Sequence, residues 1–320
     1  MFKIPFTKAQ GAGNDFLIVE DAPETGLPSP EWRRRICDRR YGVGADGLLW
    51  LSVPSAQAGA DADLRIFNSD GGEAEISGNG TRCAAAFLAE TGRCEKQLAI
   101  HTGAGLKKLT LIHREENHFV FEMAMGSPIL AAASIPFQPH PPEPLAEPII
   151  GFQLPLPSGP QAVTVTSMGN PHCSVAVEHF DWDWEALGAE IERHSFFPRR
   201  TNAEFYRVHS RHEIEVRYWE RGVGPTFSSG TGSCAAAAAA ILGGQAESPV
   251  TVKTVAGDLQ VRWEKDGIYL TGPAEIVCRG EFLCGREHSG APAATQTGAH
   301  EEGSLLRGAI GQRRSRTVKK

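Results

Sequence analysis

Short apolar runs, many with polar residues at alternate positions, recur along this chain between clusters of Gly, Pro, Asn and Asp. In the first half they read FLIVE, GLLWLSV, DLRIFNSD, KKLTLIH and HFVFEMAM. In the second they read AVTVTSM, SVAVEHF, EIEVRYWE, VTVKTVAG, DLQVRWEKD and GIYLTGP. Each run predicts a strand, and connections too short for a crossover helix predict a mostly antiparallel sheet. Amphipathic helices are expected over Glu31 to Tyr41 and Asp183 to His194. Ten prolines between Pro128 and Pro160 exclude a helix or central strand there and predict an extended surface connection. From about Gly285 the periodicity is lost. That tail is expected to be disordered, with Arg313, Arg314, Arg316, Lys319 and Lys320 as a solvated end rather than a binding arm.

Two segments break the strand pattern in the same way. ISGNGTRCAAAFLA (Ile76 to Ala89) and SSGTGSCAAAAAA (Ser228 to Ala240) each carry a glycine-rich turn opening an alanine-rich helix. Ser77 and Ser229 stand 152 positions apart, with Asn68 and Glu220 nine residues before them. Asn14 in GAGNDF and Asn170 in SMGNPHC repeat at an offset of 156. The chain therefore reads as two related halves whose polar residues meet where the halves face each other. Such an arrangement suits a reaction needing two similar groups on opposite faces of one small substrate. Alanine favours helix and adds almost no bulk, so backbone can surround Ala84 to Ala86 and Ala235 to Ala240 closely, as in a sheet wrapped around a helix.

Composition changes the picture little. A chain of 320 residues suggests two domains, 41% hydrophobic and 22% charged residues are ordinary for a globular protein, and a net charge of −6 gives no reason to expect nucleic acid. No apolar run reaches the length of a membrane span, and the start MFKIPFTKAQ runs straight into foldable sequence, so no leader is expected. Seven scattered cysteines (Cys37, Cys83, Cys94, Cys173, Cys234, Cys278, Cys284) make no CxxC pair or metal spacing, which favours free thiols in a reducing cytoplasm.

The chemistry is expected at the two turns. A helix N-terminus offers unpaired amides and partial positive charge, and Gly78, Gly80, Gly230 and Gly232 let a ligand approach them. No GxGxxG or phosphate-loop lysine is present, so a carboxylate fits better than a polyphosphate. The same turns also read as plain structural caps; the duplication favours binding.

GAGNDF, FNSDGGEAEISGNGTRC, MGNPH, RTNAEF and ERGVGPTFSSGTG, in this order, resemble the diaminopimelate epimerase family from about residue 6 to Val277. The resemblance implies an α/β (α+β) fold of two pseudo-symmetric domains, each a mostly antiparallel sheet wrapped around a central helix. The halves would be residues 1–127, joined by a returning strand near 274–284, and residues 161–273, with 128–160 as the connection and 285–320 as the tail. It also implies inversion of the α-carbon of LL-diaminopimelate to the meso form, for lysine and peptidoglycan, without pyridoxal phosphate or metal, by a homodimer. Residue by residue, Gly78, Asn79, Gly230 and Thr231 would hold the reacting carboxylate through backbone amides. Asn68, Asn170, Asn202 and Arg221 would read the distal amino-acid group, Asn14 would line the pocket, and His172 and Glu220 would assist proton movement. Taken singly, these asparagines also read as turn formers and the histidine as a satisfied structural one.

One departure bears on mechanism. The family moves protons with two cysteines, one before GNG and one before GTG, and here both are serine, Ser77 and Ser229. A thiol near a helix N-terminus ionises readily, whereas a serine hydroxyl needs an adjacent base. Pro225 and Gly47 replace a usual glutamate and glutamine. Cys83, Cys173 and Cys234 are expected to pack rather than to react. Three readings follow: epimerisation by Ser77 and Ser229 with help from His172 and Glu220; a dehydratase or lyase; or a non-catalytic amino-acid binder. The retained polar set favours an unchanged ligand, a diamino dicarboxylic acid.

Overall fold

The structure, a computed structural model, describes residues 2–21, 26–54, 59–140 and 145–284. The chain runs twice through one order of elements. The first round is β1 (Phe2–Gly11), β2 (Asn14–Glu20), α1 (Pro30–Cys37), β3 (Gly47–Ser52), β4 (Ala62–Asn68), β5 (Glu73–Ala74), α2 (Gly78–Glu90), β6 (Gln97–Thr102), β7 (Gly105–Glu115) and β8 (His118–Gly126). An extra strand, β9 (Ile149–Leu156), precedes the second round: β10 (Gly159–Ser167), β11 (Pro171–Ala176), α3 (Trp184–Glu192), β12 (Asn202–Ser210), β13 (Glu213–Glu220), β14 (Gly224–Thr226), α4 (Gly230–Leu242), β15 (Val250–Thr254), β16 (Gly257–Glu264) and β17 (Gly267–Cys284).

Pairing repeats with the order. Among the described residues the parallel pairs are β2–β3, β4–β6, β11–β12 and β13–β15, bridged by α1, α2, α3 and α4 in turn. The other pairings are antiparallel, as expected where no helix intervenes. β17 serves both rounds: Ile268 to Glu275 pairs with β8, and Glu275 to Cys284 pairs with β1. The succession β17–β1–β2–β3–β4–β6–β7–β8–β17 thus closes on itself, with α2 inside. The result is a sheet-rich α+β fold.

The alanine helices are buried as their lack of bulk requires. Ala84, Ala85 and Ala86 in α2 and all six alanines Ala235 to Ala240 in α4 are fully buried. One apolar cluster contains both helices, while a second packs α3 and β9 against β10, β11 and β12. Where the two helices meet, neither contributes a side chain, and Leu270 packs beside the contact. A Cβ on Gly78 would lie 3.2 Å from Gly230 Cα, and one on Gly230 would lie 3.1 Å from Gly78 Cα. Glycine on both sides lets the helix N-termini touch backbone to backbone, which sets the floor of the site.

Two expectations are corrected. The first helix ends at Cys37, four residues before Tyr41, because Asp38 turns extended (φ −65°, ψ 125°) and its carboxylate accepts from the amides of Arg40 and Tyr41 at 2.7 Å each. These local bonds compete with the helix. The proline-rich stretch is not all surface. Ile135, Phe137, Ile149, Leu154 and Leu156 are buried, and β9 forms within it. Pro155 is tolerated because, among the described residues, β9 pairs only with β10 and so has a free edge. The predicted basic tail lies outside the described residues.

Candidate active site

Ser77 and Ser229 are the N-caps of α2 and α4, and their backbones match: φ −135°, ψ 119° and φ −135°, ψ 125°. Ser77 Oγ accepts from Gly80 N at 3.1 Å, and Ser229 Oγ accepts from Gly232 N at 3.3 Å. Thr81 and Ser233 donate their hydroxyls back to the carbonyls of Ser77 and Ser229 at 2.7 and 2.6 Å. The serine is thus what the helix start asks for, since an N-cap oxygen satisfies an amide that has no intrahelical acceptor. With the Gly80 and Gly232 amides taken, those of Gly78, Asn79, Gly230 and Thr231 remain at the two touching helix ends, on the wall of one cavity of about 460 Å³.

The same cavity is lined by Asn14, Asn68, Asn170, Asn202, Glu220 and Arg221 together with both serines. The site residues read from the sequence therefore reach it except Gly80 and Gly232, which pack behind the serine caps, and His172. That ring is fully buried behind the wall, with Nδ1 2.6 Å from Glu204 Oε1 and Nε2 2.9 Å from Asn170 Oδ1. Its hydrogen-bonded link to the cavity is Asn170, whose amide in turn lies 3.5 Å from Thr231 Oγ1.

The polar walls are held rigidly. Asn202 Nδ2 donates to the Pro171 carbonyl at 3.0 Å, and its Oδ1 accepts from Arg221 N at 2.9 Å, so this side chain fixes the turn that carries Arg221. The Arg221 guanidinium donates to the Arg199 carbonyl at 3.2 Å and lies 3.9 Å from Glu75, a first-round residue. Asn14 donates to Asp46 at 2.7 Å, and Asp46 and Asp15 are both gripped by Arg39. Burial would raise the Asp15 carboxyl, but hydrogen bonds from Arg39 and Lys8 outweigh it and bring the group down to about 2.

The two serines differ in what stands behind them. Ser229 Oγ donates to Glu220 Oε2 at 3.1 Å, and Thr226 Oγ1 donates to Glu220 Oε1 at 2.7 Å. Burial pushes the Glu220 carboxyl above its ordinary range, opposed by those two hydrogen bonds. A hydroxyl donating to a carboxylate while accepting an amide is an arrangement from which it can take up a proton and pass on its own. Beside Ser77 the corresponding residue is Asn68, which cannot accept a proton at neutral pH.

Comparison with known proteins bears directly on this geometry. A family model described as "Diaminopimelate epimerase" matches residues 6–131 and 164–277, which contain both helix starts and every residue named above as lining the cavity. The chain belongs to the diaminopimelate epimerase family. A diaminopimelate epimerase of Desulfitobacterium hafniense is 40% identical over 282 residues, 86% of this chain and 97% of that one. A chloroplastic diaminopimelate epimerase of Oryza sativa subsp. japonica is 41% identical over 291 residues, covering 87% and 80%. Among solved structures, a hydroxyproline epimerase from Agrobacterium vitis, with bound trans-4-hydroxy-L-proline, aligns at TM-score 0.64 and 14% identity over 90% of this chain and 95% of that one. That likeness shows the fold.

Sequence reasoning missed several residues of this diaminopimelate epimerase-family site. Glu204, in the RTNAEF motif, is buried against His172 and Ser174. Strand alternation could have found it, because Asn202 and Glu204 must share a face of β12. Asp46, Arg39, Glu75 and Thr226 also line the cavity, but their spacing along the chain carries no signal. Among the described residues Cys83, Cys173 and Cys234 are free and buried, and burial raises all three thiols, those of Cys83 and Cys234 to about 12. Such thiols are inert.

Proposed function

We propose that this chain epimerises LL-2,6-diaminopimelate to the meso form with serines in place of thiols. The observation that carries the reading is the pair of matched N-cap serines at two helix ends that touch glycine to glycine, one of them bonded to a carboxylate. The amides of Gly78, Asn79, Gly230 and Thr231 hold the reacting carboxylate. Arg221, whose planar fork pairs two oxygens, and Asn68, Asn170 and Asn202 line the part of the cavity that receives the distal amino-acid group.

The α-carbon is deprotonated on the α4 side. Its C–H bond breaks, the proton passes to Ser229 Oγ, and the Ser229 proton moves to Glu220 Oε2. On the opposite face the Ser77 hydroxyl donates its proton to the carbon. The resulting alkoxide sits at the N-terminus of α2, accepts from Gly80 N, and recovers a proton from solvent, while Glu220 releases to solvent the proton it took. Aligned amides act here as fixed donors for developing charge. His172 is a positioning residue that orients Asn170. The chemistry needs no group beyond the chain's own.

The test is deuterium incorporation at the α-carbon of LL-diaminopimelate in D₂O, followed by NMR. Incorporation with appearance of the meso form, lost in Ser77→Ala and Ser229→Ala, is expected. Saturable binding without incorporation would replace epimerisation by binding, a reading favoured by one observation: among the described residues no carboxylate hydrogen-bonds to Ser77. We also propose a homodimer in a reducing cytoplasm, a compartment that the six free thiols among the described residues fit. Light scattering of the purified chain tests the dimer.

A further inference from the structure

Arg82, in the second turn of α2, is a buried charge for which the reaction above has no use. It is fully buried, its Nη2 donates to Asn79 Oδ1 at 2.6 Å, and its Nε donates to the Pro273 carbonyl at 3.1 Å. Its Nη1 is buried without a hydrogen-bond partner, and among the described residues no carboxylate pairs with it. Burial pulls the guanidinium down to about 10, so it remains charged at neutral pH.

As a structural device this is a poor choice. A buried cation without a counter-charge is costly, and here it also lies near the positive end of a helix. Packing does not demand it. Five residues after Ser229, in the matching place of α4, stands Cys234, which is uncharged and fully buried. Asn79, which Arg82 grips, is one of the two α2 residues whose amides face the cavity. The charge therefore sits directly behind the anion-binding turn of α2, and the matching place in α4 carries no arginine.

We propose that Arg82 is a positioning residue that charges the carboxylate cradle, adding the field of an uncompensated guanidinium to the Gly78 and Asn79 amides and fixing the turn that presents them. The ligand class is an α-amino carboxylate, which rests on the epimerase reading. An incoming carboxylate supplies the opposite charge. When the α-proton leaves, negative charge spreads into that carboxylate, so the same cation lowers the barrier as well as strengthening binding.

The test compares the full chain with Arg82→Lys and Arg82→Met by calorimetric or NMR titration. Two probes are used: LL-diaminopimelate, and pimelate, which has both carboxylates but no group titrating above neutral pH. A buried ammonium without a partner loses its proton readily whereas guanidinium does not, so the variant-to-parent ratio of Kd for Arg82→Lys should stay near one at about pH 6 and rise about tenfold or more by about pH 9. Arg82→Met should raise Kd about tenfold at every pH, as loss of a charge-assisted interaction does. For Arg82→Lys, a ratio that does not change with pH, whether near one or high, overturns the proposal, because a role in packing or geometry alone gives no titration. If Arg82→Met melts before it can be titrated, Arg82→Lys decides alone. Pimelate bound without LL-diaminopimelate would sink the substrate reading and leave the Arg82 comparison standing. Neither probe binding to the parent would remove the cradle and both ideas with it.

Discussion

The N-termini of α2 and α4 share a backbone and differ in charge. Both are capped by serine with nearly the same φ and ψ, and each second glycine abuts a residue from the strand behind it. Behind Gly80 that residue is Leu49, which a Cβ would meet at 3.0 Å; behind Gly232 it includes Glu204, met at 3.1 Å. Nine residues before Ser77 stands Asn68, and nine before Ser229 stands Glu220. The α4 end thus has Glu220 hydrogen-bonded to its serine, and the α2 end holds the buried cation Arg82. On the proposed mechanism, the duplicated scaffold carries an acceptor of protons on one side and a stabiliser of negative charge on the other. Two-fold symmetry of the backbone does not imply two equal bases.

The comparison breaks most readily at Glu220. Glu220→Gln removes the acceptor behind Ser229 and should lower turnover by about a hundred- to ten-thousandfold, the range for loss of a general base. It should also raise the melting temperature at neutral pH. The folded-state pKa of Glu220 lies above its unfolded value, so its contribution to stability is present at low pH and lost as pH rises through the folded pKa. Glutamine mimics the protonated form. An activity loss accompanied by a lower melting temperature would show that the carboxylate is a structural pillar instead.

Thiols sharpen the contrast. Ser77→Cys places an acid of ordinary pKa about 8.5 at a helix N-terminus without a carboxylate beside it, so the rate should rise by about tenfold or more. Ser229→Cys should gain less, because the adjacent Glu220 carboxylate disfavours a thiolate. Equal gains at the two positions, read from initial rates, would mean that the ends are equivalent after all.

The shared floor gives an effect of intermediate size. Gly230→Ala forces a methyl to 3.1 Å from Gly78 Cα, against backbone that cannot rotate away. Overpacking of this kind costs about 1–3 kcal/mol, and here it should also separate the amides that bind carboxylate, so denaturant unfolding and ligand affinity should both weaken. The smallest change expected is at Thr226→Val. It removes a hydrogen bond that lowers the Glu220 pKa, so the acidic limb of the pH–rate profile should move to higher pH with little change at its plateau. A shift to lower pH would mean that Thr226 does not act on Glu220.

Much of the fold was legible along the chain. The strand runs, the two glycine turns and the alanine helices all depend on near neighbours, and they appear where propensity and periodicity place them. Helix α3 begins at Trp184 behind an Asp183 cap, as its amphipathic spacing suggested. β9 was hidden by its prolines, since an edge strand tolerates what a central strand cannot, and edge position is not written in a local window. β12 and β1 were overlooked because their polar residues obscure the alternation.

The sequence by itself determined the duplication, the two serine-capped turns and the family to which they belong. These rest on residue identity at short spacings, which survives without coordinates. Only the tertiary structure decided that Glu220 bonds Ser229, that His172 stays behind Asn170, and that Arg82 is buried without an anion. Those relations join residues on different strands and helices, and burial is what gives them energetic weight. A hydroxyl becomes a proton carrier, or an arginine a source of field, through the dielectric and partners around it, and these exist only once the sheets have closed around the two helices.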